Sequence, residues 1–157
     1  MYDLTFYCFF TGKTLTSLSL LDNKIDNLPA DYFLQSGALT TVDLDGNALM
    51  SLPDMSHTAI RQLSLRGNRF QNLDFLMVKK LENLETLDIR GNQMDSVDLL
   101  ELVTWAPRLS FVDVAFNNLT TLENVSGAFC DDVIPFFNGT IVDATSNPYH
   151  CGENLLW

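Results

Sequence analysis

The side chains able to carry chemistry are few. Two histidines, His57 and His150, stand far apart and outside any metal-ligand spacing. His150 adjoins Cys151, but neighbouring side chains on an extended strand diverge, so the two make a poor thiolate–imidazole couple. The three cysteines Cys8, Cys130 and Cys151 include no Cys-x-x-Cys, which removes support for zinc-ribbon or thioredoxin-type chemistry. Their odd number leaves at least one thiol free or paired outside the chain. Asp43-Leu44-Asp45-Gly46-Asn47 has a superficial calcium-loop look, without the third carboxylate spacing or the distal glutamate. No Gly-rich phosphate cradle or nucleophile elbow occurs. The reading is of a protein that is not an enzyme, with no cofactor and no metal expected; any catalytic domain would lie outside this chain.

Composition narrows the partners. The chain has 157 residues, of which 46% are hydrophobic, enough for one domain with a real core. Its formal net charge of −11 would repel nucleic acid and anionic membrane surfaces. No stretch approaches the roughly 20 apolar residues that span a bilayer. The opening MYDLTFYCFFTGK has no basic residue ahead of its apolar part, so it reads poorly as a secretion signal; for a secreted chain that signal would have been removed or would lie upstream.

One pattern recurs along the chain: L-x-x-L-x-L-x-x-N-x-L. Its five full copies are Leu15/Leu18/Leu20/Asn23/Ile25, Leu39/Val42/Leu44/Asn47/Leu49, Ile60/Leu63/Leu65/Asn68/Phe70, Leu84/Leu87/Ile89/Asn92/Met94 and Leu109/Val112/Val114/Asn117/Leu119. A degenerate sixth holds Val142, Ala144, Asn147 and Tyr149, with Gly139 at the first apolar position. Successive asparagines are 24, 21, 24, 25 and 30 residues apart. The alternating part predicts a short strand with one buried face, and its repetition predicts strands stacked in parallel. Gly46, Gly67 and Gly91 precede three of the asparagines, where a tight backbone is useful. Asn23, Asn47, Asn68, Asn92, Asn117 and Asn147 are expected to point inward as a ladder, satisfying backbone groups of their own and the adjoining turn. No repeat buries its apolar face alone, so neighbours must cover it. Such stacking leaves a sheet edge open at both ends.

This pattern resembles the leucine-rich-repeat family. The resemblance implies an α/β repeat solenoid, a horseshoe with a parallel β-sheet on its concave face and irregular or short helical segments on its convex side. The segment from Asn23 through Leu28 and Pro29 to Phe33 is similar to the extracellular "typical" repeat, with its Leu-Pro and later phenylalanine on the convex side. Leu73, Leu76 and Leu81 hold comparable places in the third repeat. The fourth repeat predicts a helix capped by Ser96, packed through Leu99, Leu100, Leu102 and Val103, and ended by Pro107. Trp105 is expected to plug the core.

The terminal residues 147–157 resemble the start of the cysteine cap of extracellular repeats, matching at Asn147, Pro148, Cys151, Leu155 and Trp157. Glu153 stands where that cap has its second cysteine, which puts the usual crossed disulfides in doubt. One solenoid turn would bring Cys130 near Cys151, and a disulfide between them is expected; two reduced, buried cysteines are the alternative. Intact mass with and without reductant separates the two. Tyr2, Phe6, Tyr7, Phe9 and Phe10 either cover the open apolar end of the first repeat or end an upstream repeat. The chain is thus read as a single domain over 1–157: a cap or upstream remnant at 1–14, five repeats with an insertion over 15–138, and a degenerate repeat with the start of a cap over 139–157.

Three N-glycosylation sequons start at Asn118, Asn124 and Asn138. With 13 asparagines and 23 serines plus threonines, about two sequons arise by chance, so position counts for more than number. All three lie in the last two repeats and off the expected strands. Together with the cap they favour a secreted or cell-surface glycoprotein.

The outward strand positions line the concave face in three columns: Ser17, Thr41, Gln62, Thr86, Phe111, Ile141; Ser19, Asp43, Ser64, Asp88, Asp113, Asp143; and Leu21, Asp45, Arg66, Arg90, Ala115, Thr145. Asp43, Asp45, Arg66, Asp88, Arg90, Phe111 and Asp113 form the candidate ligand-binding patch, with Phe111 as an exposed apolar anchor and the charges setting specificity. The competing account is that aspartate at this strand position is a habit of the family, neutralised by the two arginines. The leading functional reading is a non-catalytic extracellular protein-recognition module within a larger receptor, adhesion or matrix protein. The alternatives are a structural segment of a cell-surface filament or assembly, contacting a neighbouring subunit, and an intracellular scaffold.

Overall fold

A computed structural model describes residues 13–73, 81–120 and 139–148 of the chain, and the backbone of 133–135. Cys8, Cys130, Cys151, Asn124 and Asn138 lie outside the described residues, as do Leu76 and the cap residues 149–157.

Each repeat contributes one three-residue strand: β1 Ser17–Ser19, β2 Thr41–Asp43, β3 Gln62–Ser64, β4 Thr86–Asp88 and β5 Phe111–Asp113; the sixth is β7 Ile141–Asp143. They pair in parallel and without slippage, Leu18 beside Val42, Leu63, Leu87, Val112 and Val142 in turn. The alternation dictates this register, because a one-residue slip would turn every apolar side chain to water. Leu44, Leu65 and Ile89 are wholly buried on the inner face, with Leu28, Phe33, Leu52, Leu73 and Val97 closing the core from the convex side. The sheet bonds continue past the strands, from Leu20, Leu44, Leu65, Ile89 and Val114 N–H to the carbonyls of Asp43, Ser64, Asp88, Asp113 and Asp143. The fold is a leucine-rich-repeat-type solenoid with few helices.

The asparagines tie successive turns together. Asn68 Nδ2 donates to the Leu65 carbonyl of its own repeat at 3.0 Å and to the Leu44 carbonyl of the preceding one at 2.9 Å, while its Oδ1 accepts from Leu49 N–H. Asn47, Asn92, Asn117 and Asn147 repeat the arrangement. Asn23 differs: it is exposed, and among the described residues its side-chain amide bonds only Leu21 of its own turn.

The residue before each asparagine is left-handed in all six turns: Asp22, Gly46, Gly67, Gly91, Phe116 and Ser146 have φ between 53° and 66°. A Cβ on Gly67 would lie 3.8 Å from its nearest neighbour, so space is not what demands glycine there. The dihedral is. Gly67→Ala is therefore expected to lower the unfolding free energy by about 1–2 kcal/mol, measured by urea titration. In Gly46→Ala the new Cβ would also collide with the Asp22 carboxylate.

Three expectations fail around the helix α1, Leu99–Trp105. Its N-cap is Asp98 rather than Ser96: the Asp98 carboxylate accepts from Glu101 N–H at 2.8 Å, three residues on, while Ser96 lies a half-turn too early to reach the helix's free N–H groups. Leu100 does not pack; the helix buries Leu99, Leu102 and Val103 and leaves Leu100 43% exposed, because residues one apart on a helix face different directions. Trp105 does not plug the core. It is half-buried at the last helical position, and its indole N–H donates to Glu101 one turn back. Asp98→Ala is expected to cost about 1 kcal/mol in the same assay, with Ser96→Ala near zero.

The C-terminal edge of the sheet also departs from expectation. β7 is not its last strand: an extra strand, β6 Val133–Pro135, pairs antiparallel with β7, giving the order β1-β2-β3-β4-β5-β7-β6. This is what the long last spacing encodes. Three of its residues form a strand outside β7, where Pro135 sits at an edge, a place that tolerates a missing N–H.

Candidate functional site

The concave face is the outer surface of the parallel strands, and the register places its residues in columns with neighbouring strands about 4.7–4.9 Å apart. The aspartates of the middle column share a local duty. Asp43, Asp88, Asp113 and Asp143 each accept, through Oδ1, the backbone N–H two residues on, at 3.0–3.2 Å. Each carboxylate thus satisfies an amide where the strand ends. In the third repeat serine replaces the aspartate, and Asp45 of the preceding repeat substitutes: its Oδ1 accepts from Arg66 N–H at 2.8 Å and from Ser64 Oγ at 2.6 Å. The periodic acid has a structural task in every strand that carries it.

What the arrangement adds beyond that task is a compact ionic cluster. Arg90 Nη2 lies 3.0 Å from Asp88 Oδ2 and its Nη1 lies 3.4 Å from Asp113 Oδ2. The guanidinium bridges two adjacent strands and covers Asp113, which is only 4% exposed. Arg90 Nε is shielded from solvent and meets no acceptor among the described residues. Burial pushes the carboxyls of both Asp88 and Asp113 above their ordinary range. Backbone N–H donation and the Arg90 charge act in the opposite direction, and the neighbouring aspartates reinforce burial. Arg66 stands exposed beside this cluster, and Asp43 accepts from Ser19 Oγ at 2.9 Å.

Phe111 is less exposed than the sequence suggested. It is half-buried between Thr86 and Ile141 in the register, whereas Ile141 is 44% exposed. Ala115 is also buried and drops out of the accessible face. The most exposed aromatic among the described residues is Phe116, at 63%, which the strand pattern did not single out. It stands where three other repeats have glycine, and that mismatch was the available signal. Among the described residues no group of three or more His, Cys, Asp or Glu side chains could hold a metal ion, and no helix is long and apolar enough to cross a membrane.

No family model matches the chain. Among known proteins it is 29% identical to human podocan-like protein 1 over 112 residues, 69% of this chain and 22% of that protein. It is 26% identical to mouse nephrocan over 90 residues, 57% of this chain and 18% of that protein. It is 28% identical to human leucine-rich repeats and immunoglobulin-like domains protein 3 over 108 residues, 68% of this chain and 9% of that protein. The chain therefore spans less than a quarter of the length of each of these relatives. The repeated strand motif, the asparagine ladder that closes each turn and these similarities agree: the chain is a solenoid of the leucine-rich-repeat type, similar to leucine-rich-repeat proteins.

Proposed function

We propose that this chain is a non-catalytic extracellular recognition module that binds a protein ligand on its concave face, within a larger receptor, adhesion or matrix protein. The observation that carries the reading is the rigid sheet itself. Its strands are held in one register, its turns are cross-tied by buried amides, and it presents Arg66, the Asp88–Arg90–Asp113 cluster and Ile141 on one continuous surface. A preformed surface loses little conformational freedom on association, which favours affinity without chemistry. The similarity to leucine-rich-repeat proteins supports a protein-interaction role.

Arg66 and Ile141 are the residues on this face best placed to meet a partner, because neither is used to hold the fold. The Asp Oδ1 atoms are committed to strand-ending amides and contribute to shape more than to recognition. The test is a binding screen of the secreted chain against an array of ectodomains and secreted proteins, followed by substitution. Arg66→Glu with Ile141→Ser is expected to weaken a concave-face ligand at least about tenfold. The convex variant Met50→Ser is expected to leave it unchanged. Loss of binding in the convex variant alone would reject the concave face and favour an assembly held by other surfaces.

A further inference from the structure

Phe116 occupies an unusual place. Its backbone is left-handed at φ 53°, a region a bulky side chain rarely adopts. The equivalent residues Gly46, Gly67 and Gly91 carry no side chain there, Asp22 is of a type that tolerates the region, and Ser146 carries only a small side chain. The ladder enforces the conformation. Phe116 N–H donates to the Thr145 carbonyl, as Gly91 N–H does to Ala115 and Gly67 N–H to Arg90. The ring gains little from burial, being 63% exposed. An exposed aromatic held in a strained conformation, where glycine would serve, has to be explained by something outside the described contacts.

The neighbouring residues supply the explanation. Asn117 turns inward to join the ladder, so Phe116 and Asn118 flank it on the solvent side of one turn. Asn118-Leu119-Thr120 is a sequon whose Asn118 and Thr120 are both exposed and whose Leu119 is anchored in the core. The Asn118 backbone N–H is tied to the Met94 carbonyl at 2.8 Å, which fixes the turn. Residues two apart are separated by at most about 7 Å between Cα atoms, within reach of one sugar ring.

We propose that Phe116 is the stacking platform for the first N-acetylglucosamine of an N-glycan on Asn118. The inference rests on the extracellular reading above, since the modification requires entry into the secretory pathway. In the transfer, the Asn118 side-chain nitrogen forms a bond to C1 of the oligosaccharide of a lipid-diphosphate-linked donor. The bond from C1 to the diphosphate oxygen breaks, the lipid diphosphate leaves, and the amide gives up one proton. The apolar C–H face of the sugar then lies against the Phe116 ring and removes both from water. Exposure and strain at Phe116 are thereby explained together. The glycan would stand at the end of the fifth strand and bound the concave face on that side.

The experiment enforces entry by placing a secretion signal before the full chain in mammalian cells. It compares the native residues with Phe116→Gly, Asn118→Gln and the double variant. Glycopeptide mass spectrometry is expected to find Asn118 occupied. Asn118→Gln is expected to lower the melting temperature by about 2–4 °C when Phe116 is present and by under about 1 °C when it is glycine. Trimming the glycan to its single reducing-end sugar should retain the difference, and that sugar's protons should show upfield ring-current shifts lost in Phe116→Gly. Because Phe116→Gly restores the residue used by three other repeats, it should fold. An unmodified Asn118 in the secreted chain, or equal melting losses in both backgrounds, would overturn the proposal. The extracellular reading is judged separately, by whether the protein with its native flanking sequence is found outside the cell.

Discussion

Replacing Asn92 with alanine is expected to lower the unfolding free energy by about 3 kcal/mol, against less than about 0.5 kcal/mol for Asn23→Ala. The difference follows from how each side chain is bonded. Asn92 is buried; its Nδ2 donates to the Leu65, Ile89 and Arg90 carbonyls and its Oδ1 accepts from Phe70 N–H. Asn23 is exposed and its amide donates to one carbonyl of its own turn. The loss at Asn92 is bounded because the carbonyls are shared. Leu65 O also accepts from Asn68, and Ile89 O also accepts from Asn117. Asn92→Ala therefore orphans one group outright, the Phe70 amide, and leaves the carbonyls half-satisfied. Removing Asn117 as well takes both side-chain donors from Ile89 O. The double variant Asn92→Ala/Asn117→Ala should exceed the sum of its parts by about 1 kcal/mol, whereas Asn47→Ala/Asn117→Ala, which share no carbonyl, should add within about 0.5 kcal/mol. Urea titration of the four single and two double variants checks this; additivity in both pairs would show that the shared carbonyls do not couple the turns.

The same feature explains why the fold was legible in the sequence. An inward asparagine every 21 to 30 residues, with apolar residues at fixed offsets, permits one arrangement in which each side chain finds its bonds, and the strands at Thr41–Asp43, Gln62–Ser64 and Thr86–Asp88 sit where those offsets put them. What was not legible depends on contacts between turns. β6 has no repeat signature, since its strand is defined by pairing with β7 rather than by a periodic pattern. The helix cap moved from Ser96 to Asp98 because two acceptable capping residues lie two positions apart and only the local backbone decides which one meets Glu101 N–H. The surface was least legible. Aspartates that read as a binding column also end strands, as the third repeat shows, where Asp45 of the previous repeat does the same for Arg66 N–H. Phe111 looked exposed because alternation sets only which face a residue takes; its neighbours set how much of it remains open. Phe116 escaped notice because its meaning lies in a comparison among turns, not within its own.

Arg90→Met is expected to destabilise the chain by about 2 kcal/mol at pH 7 and to match the unaltered protein within about 0.5 kcal/mol at pH 3. Arg90 is the only cation within ion-pair distance of Asp88 and Asp113 among the described residues. Burial already raises both carboxyls above the usual 3.8, so the native state holds their protons more tightly than the unfolded chain does. That contribution to stability is fully present below the ordinary carboxylate value and is lost as pH rises through the higher folded value. Arg90 works against the loss, because its charge favours the ionised carboxylates. Without it both folded values rise further, and the native state must either keep its protons or bury two uncompensated charges. Below both values the carboxyls are neutral in either chain, so the arginine has little left to offset. Methionine preserves the packing of the arginine stem over Asp113 and removes the Nε donor that meets no acceptor, which keeps the effect near 2 kcal/mol. Urea titrations of both chains at half-unit intervals from pH 3 to 7 give the curve. A pH-independent gap would mean that Arg90 acts by packing alone, and a gap widening toward acid would reverse the sign argued from the buried aspartates.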